Sequence, residues 1–210
     1  MHIPDGFLDT KTWVTTAAFS AVALGVSSTK TAEYLNDRQL PSLGIMSAFI
    51  FAAQMVNFPI AGGTSGHLLG AALATTLLGP WAASLIISTV LIIQCLFFQD
   101  GGLTALGANI FNMAVGGVLV AYLVQTLLSK LRLNQYVTSF VAAWASVMTA
   151  ALLASVELSL SGTINFNVVY PAMAGVHALI GVGEGIITAV VVAFVLGTQK
   201  SAPKAEVSAR

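Results

Sequence analysis

Met1 and His2 carry an α-amine, a backbone amide and an imidazole that can all reach one metal ion. Amine and amide nitrogens close a five-membered chelate ring, and the amide nitrogen and ring Nδ1 close a six-membered one. Three nitrogens then lie near one plane, and a fourth donor completes the square-planar shell that suits Ni²⁺ or Cu²⁺. The amide must shed its proton, so binding strengthens with pH. A Met-His start alone is a weak signal. The reading needs a free amine, a fourth donor and a place to hold the loop.

His67 is the candidate fourth donor. It follows Gly62, Gly63 and Gly66 and precedes Gly70. Glycines permit unusual backbone angles and close approach of another backbone, which suits a slot receiving an inserted segment such as the N-terminal loop, residues 1–11. The run resembles a phosphate loop, but His67 stands where a lysine would be needed, so nucleotide binding is rejected here. Other polar groups fall in apolar surroundings, where they mark function by default. Asp5, Asn57, Ser65, Asn109, His177 and Glu184 are the candidates for orienting a ligand imidazole or docking the loop. Asn109 and Asn112 share a helical face and read as partners for the inserted loop. His177 and Glu184 share a face of the last span, and a structural pair or a proton relay are the other readings of them. Asp100 reads as a helix cap or a cation attractor, with a solvated loop carboxylate preferred. Glu157 is expected at the outer end of the sixth span, with no role.

The elements that must position these residues are membrane helices. The chain has 210 residues, 57% of them hydrophobic and 8% charged, with a mean hydropathy of +0.89. A soluble domain carries about 25% charged residues. Without a basic stripe, nucleic-acid binding is disfavoured. The one cysteine, Cys95, excludes a disulfide framework and reads as a buried hydrophobe. Acidic rather than basic residues near the start argue against a cleaved signal peptide, so Met1 is expected to stay. Apolar runs predict an all-α bundle of about seven transmembrane helices over 12–28, 41–58, 64–78, 80–98, 103–129, 135–158 and 170–197. The third is short and glycine-rich and is the least secure. With the N-terminus outside and the C-terminus cytoplasmic, Lys30, Arg38, Lys130, Arg132, Lys200, Lys204 and Arg210 face the cytoplasm and only Lys11 lies outside. Residues 1–197 then form one transmembrane domain and 198–210 a flexible cytoplasmic tail. Small pairs four apart (Ala17 and Ala21, Gly70 and Ala74, Gly181 and Gly185) read as close internal packing or as a docking face for a partner. Neither a His-Glu-x-x-His nor a Gly-x-Ser-x-Gly motif occurs, which disfavours an enzyme.

Four segments together resemble a known family: Met-His-Ile-Pro-Asp-Gly-Phe-Leu at 1–8, Gly-Thr-Ser-Gly-His-Leu-Leu-Gly at 63–70, Asp-Gly-Gly-Leu-Thr-Ala-Leu-Gly-Ala-Asn at 100–109, and His-x-x-x-Gly-x-Gly-Glu-Gly at 177–185. They are similar to the CbiM/NikM family, the substrate-specific (S) components of energy-coupling factor (ECF) transporters for cobalt and nickel. The resemblance spans nearly the whole chain and is nearer the nickel-type members. It implies a seven-helix bundle in the prokaryotic cytoplasmic membrane, with the N-terminal loop plunging into it. It implies ligation by the Met1 amine, the His2 amide and imidazole, and the His67 imidazole. The implied partners are a transmembrane coupling (T) component, ABC-type ATPase subunits and a small accessory membrane subunit. ATP then binds only the partners. Ni²⁺ is preferred on the planar nitrogen set, with Co²⁺ possible and Cu²⁺ favoured by raw affinity. The alternatives are a cobalt component feeding cobalamin synthesis and a self-sufficient secondary metal–proton carrier.

Overall fold

The structure, a computed structural model, describes residues 1–36, 39–60 and 64–201. Arg38, Gly62, Gly63 and the tail from 202 onward, all used in the reading above, lie outside the described residues. The chain runs α1 (Thr10–Tyr34), α2 (Leu40–Gln54), β1 (Phe58–Ile60), β2 (Thr64–Gly66), α3 (Ala71–Leu78) and α4 (Pro80–Phe98). It continues as α5 (Leu106–Lys130), α6 (Gln135–Leu160) and α7 (Phe166–Ser201). Among the described residues, four helices are long and apolar enough to cross a membrane: α4, α5, α6 and α7 through Thr198. At about 1.5 Å per residue such helices reach or exceed the ~30 Å hydrocarbon thickness.

Local chemistry fixes most boundaries. Asp9 caps α1, its Oδ1 accepting from Thr12 N at 3.1 Å. Pro80 opens α4 at its first turn, where its missing N–H is no loss. Asn134 caps α6 by accepting from Tyr136 N at 2.8 Å. The last helix starts at Phe166, ahead of the expected Tyr170, and carries Pro171 inside it. It also runs on to Ser201, so the expected tail boundary at 197 falls within a helix.

The third expected span, the short glycine-rich one, is broken. Thr64–Leu78 is no helix: its first residues form β2, which pairs antiparallel with β1 in the register Pro59↔Ser65, and only Ala71–Leu78 is helical. Pro59 biases the residue before it away from the helical region, and α2 ends at Gln54 before it. Gly70 takes φ +79 at the start of α3, against Ile50, whose Cγ1 would lie 2.8 Å from an added Cβ. Both observations explain why an apolar run reads as a span yet folds as a hairpin and a two-turn helix.

Helices approach closely where side chains are small. A Cβ on Gly107 of α5 would lie 2.5 Å from Ala17 of α1, and Ser20 beside it donates to Gly107 O at 2.7 Å. Gly181 and Gly185 of α7 sit against Trp144 and Phe140 of α6. Internal packing thus accounts for Ala17, Gly70, Gly181 and Gly185, whereas Ala21 is exposed. Within α5, residues Phe111–Gly117 form a π-helical turn, a feature often found at functional sites. Asn112 sits in that turn and donates to Glu157 Oε2 of α6 at 2.6 Å. The reading of Glu157 is therefore corrected: it is 5% exposed and has a buried partner. Asn112 likewise serves α6 rather than the N-terminal loop.

Candidate metal centre

The N-terminal segment folds inward. Met1 and Ile3 are fully buried and His2 is 3% exposed. Ile3 is held by both groups of one amide: its N–H donates to Asn109 Oδ1 at 2.8 Å and its carbonyl accepts from Asn109 Nδ2 at 3.1 Å. The Ile3 carbonyl also accepts from Gly102 N at 2.9 Å. Gly102 must be glycine, because a Cβ there would meet Asp5 N at 2.3 Å. Nearer the surface, Asp5 accepts from Leu103 N at 3.0 Å, from Thr104 N at 2.7 Å and from the Thr104 hydroxyl. Those bonds, the Thr104 hydroxyl foremost, hold the Asp5 carboxyl below its ordinary range. The Thr163 hydroxyl donates to Phe7 O on the other side. The segment 100–109 and the α6–α7 junction thus fasten the loop.

Removing Asp5 leaves the candidate ligands untouched but undoes three of these fastenings. Asp5→Ala is expected to raise the nickel dissociation rate several-fold without changing the absorption spectrum of the bound ion. Stopped-flow release into a chelator measures the first, and a shifted spectrum would place Asp5 nearer the ion than this geometry does.

At the inner end of the loop, the Met1 amine donates to the Ser65 carbonyl and, at 3.1 Å, to Ser65 Oγ; His2 N–H donates to the same hydroxyl at 3.2 Å. β2 therefore brings Ser65 to both main-chain nitrogens. His67, 1% exposed, follows it in sequence, and its ring centroid lies 4.5 Å from that of His2. His67 Nδ1 faces Leu68 O at 2.7 Å. A carbonyl only accepts, so Nδ1 holds the proton and Nε2 presents a lone pair. Burial pushes the α-amine down from 8.0 to about 4, against the pull of Asp100. The amine is then neutral at pH 7, as a ligand must be.

His2 departs from expectation in one respect. Its Nδ1, the atom that would close the six-membered ring, meets Asp100 Oδ1 at 2.6 Å. Burial alone would raise the Asp100 carboxyl, but the hydrogen bond from His2, with Asn57 also donating, holds it below the usual range. Burial lowers His2 more than Asp100 raises it. The pair is a neutral imidazole donating to a carboxylate. Nε2 of His2 and of His67 are both buried without a hydrogen-bond partner among the described residues. Asp100, preferred above as a solvated carboxylate, instead bridges His2 and Asn57, whose Nδ2 donates to its Oδ2 at 2.7 Å.

The remaining candidates divide. Ser65, Asn57 and Asn109 stand at the loop. His177 is fully buried, its Nδ1 bonded to Met173 O at 2.8 Å and its Nε2 unpartnered among the described residues. Glu184 does not turn to His177; its carboxylate takes the amides of Leu69 and Gly70. Asp100 is the residue at the site that sequence reasoning underrated. Its signal was the Asp-Gly-Gly sequence, which brings a carboxylate and a bare backbone to one place.

A buried amine and two adjoining imidazoles thus gather nitrogen donors inside a bundle that, among the described residues, has four helices able to span a membrane. The chain matches the family model described as cobalt uptake substrate-specific transmembrane region (CbiM) over residues 2–202, and it belongs to that family. It is 44% identical over 212 residues to the putative fused nickel transport protein NikMN of Archaeoglobus fulgidus, covering 97% of this chain and 70% of that one. It is 33% identical over 163 residues to the cobalt transport protein CbiM of Lachnoclostridium phytofermentans, covering 77% of this chain and 65% of that protein. A crystal structure of a truncated transition metal transporter superposes with a TM-score of 0.91 at 37% identity, covering 94% of this chain and 99% of that one.

Proposed function

We propose that this chain is the metal-capturing S component of an ECF-type importer. It takes Ni²⁺, or Co²⁺ in its place, at a planar nitrogen site made by the Met1 amine, the His2 amide and imidazole, and the His67 imidazole. The observation that carries the reading is the burial of the Met1 amine beside His2 and His67, the latter with an Nε2 that has no partner among the described residues. A buried amine kept neutral beside two imidazoles is a set of nitrogen donors that a transition metal ion would satisfy. The reading takes Met1 as the first residue of the mature chain, with its amine free.

Metal capture exchanges bonds the structure displays. Ser65 releases the amine and the His2 N–H, the amide proton leaves, and His2 shifts its ring proton from Nδ1 to Nε2 as Nδ1 turns from Asp100 into the chelate. Asp100, beside the ring, offsets the charge of the ion. The bias of Lys and Arg, with Lys30, Lys130 and Arg132 on one side and Lys11 on the other, supports a site on the outer face. Relatives named for nickel and for cobalt transport support both ions as cargo. The planar nitrogen set favours nickel over cobalt.

Inward delivery then needs the coupling protein and ATPases. The test is nickel uptake into cells expressing this chain alone or with those partners. ATP-dependent uptake is expected only with the partners. Uptake by the chain alone, collapsing with the proton gradient, would make it a secondary carrier instead.

A further inference from the structure

We infer that Glu184 is the positioning residue for His67, acting through the peptide group between Leu68 and Leu69; the inference rests on the metal-site reading above. The carbonyl and N–H of one trans peptide are fixed in a single plane and point in opposite directions. His67 Nδ1 donates to the carbonyl of that peptide, Leu68 O, at 2.7 Å. The N–H at its other end, on Leu69, donates to Glu184 Oε2, and the next amide, Gly70 N, donates to Oε1 at 2.9 Å. A chain of bonds therefore runs carboxylate, peptide, imidazole. Metal-binding histidines commonly donate their second nitrogen to a carboxylate or carbonyl, which fixes the tautomer and aims the ring. Here the carboxylate stands one peptide further back. A carboxylate on the N–H polarises the peptide and makes its carbonyl the stronger acceptor, so Nε2 becomes the better donor to a metal.

Leu69 is packed in the core and Gly70 lies against Ile50, but one side of the segment is open. A cavity of about 190 Å³ lies against Leu68, Leu69 and Gly70, lined also by Gln54 and Glu184. The segment after His67 is therefore held on that side by hydrogen bonds: those to Glu184 of α7 and one from Gln54 of α2, whose Nε2 donates to Leu69 O at 2.8 Å. Glu184 is 2% exposed, and its partners among the described residues are these two amides. Gly70 presents its N–H to Glu184 from its left-handed conformation.

The test is a double-mutant cycle on nickel affinity, using the full chain with its native N-terminus. E184Q keeps the size of the side chain but sets an NH₂ group against one of the two amides. With His67 present, E184Q is expected to weaken Ni²⁺ binding by about 10–100-fold, the range found when a residue behind a metal ligand is removed. In the His67→Ala background the same change is expected to have no effect, because there is no ring left to aim. Equal losses in both backgrounds would overturn the proposal and leave Glu184 a purely structural residue. If E184Q does not accumulate in membranes, Gln54→Leu loosens the same segment from the other side, and its loss must likewise vanish without His67. A wild-type chain that binds no nickel would reject the metal site itself. Nickel binding by the wild type with additive losses would reject only the role of Glu184.

Discussion

Extending the chain by three residues ahead of Met1 is expected to abolish tight nickel binding while leaving the fold intact. The extension turns the Met1 amine into a peptide nitrogen. That removes one donor and also the ring that anchors deprotonation of the His2 amide. Losing a residue that merely orients a ligand already weakens metal binding 10–100-fold, so losing two donors together puts the loss at about a thousandfold or more. Space reinforces chemistry. Met1 is fully buried and its nitrogen already faces the Ser65 carbonyl and hydroxyl, so added residues have no room beyond it. Placing one residue between Met1 and His2 is the wrong variant for this purpose. It moves the imidazole to position three, where amine, two amides and imidazole close a planar site without His67. Competition titration against a chromogenic chelator measures the loss, and circular dichroism and thermal melting check the fold. Undiminished affinity in the extended chain would remove the amine from the ligand set.

The second large effect is expected from His67→Ala. The variant keeps the Met1–His2 chelate and loses the fourth nitrogen, so nickel must take a different fourth donor or a larger shell. Affinity is expected to fall by at least about a hundredfold, since His67 is itself a ligand rather than a support for one. The bound ion is expected to lose the spectrum of the four-nitrogen plane. His67 is 1% exposed, with Nδ1 committed to Leu68 O and Nε2 without a partner among the described residues. Its removal leaves a cavity and frees one carbonyl, which lowers stability modestly. Thermal melting without metal measures that part separately from binding. A variant as unstable as it is weakly binding would assign His67 to the core.

How far these residues were legible follows from what each one needed. Met1 and His2 could be singled out because an amine, an amide and an imidazole in succession can chelate one ion, and His67 because a histidine in an apolar run has no packing reason to be there. The helices α4 and α6 could be bounded because apolar runs meet local punctuation, Pro80 at one start and Asn134 at the other. The segment 64–78 misled because an apolar, glycine-bearing run has the same hydropathy as a helix or as a hairpin. The pairing of Phe58–Ile60 with Thr64–Gly66 decides it. Asp100 and Glu157 were underrated for a different reason. Each partner lies far along the chain, His2 for one and Asn112 for the other. Asn112 meets Glu157 from within a π-helical turn that no hydrophobic period announces. Which ring nitrogen of His2 faces Asp100 depends on a side-chain rotation that residue types do not encode.

The central claim is that the chain's own amine is a metal ligand. The most direct measurement is a nickel titration of protein with a native N-terminus, read by optical absorption and magnetic susceptibility. One nickel per chain is expected, yellow and diamagnetic, as four nitrogens in a plane require, and absent when the amine is acetylated. A paramagnetic six-coordinate ion, or the same spectrum from the acetylated chain, would contradict it and move the site toward Asp100 and His177.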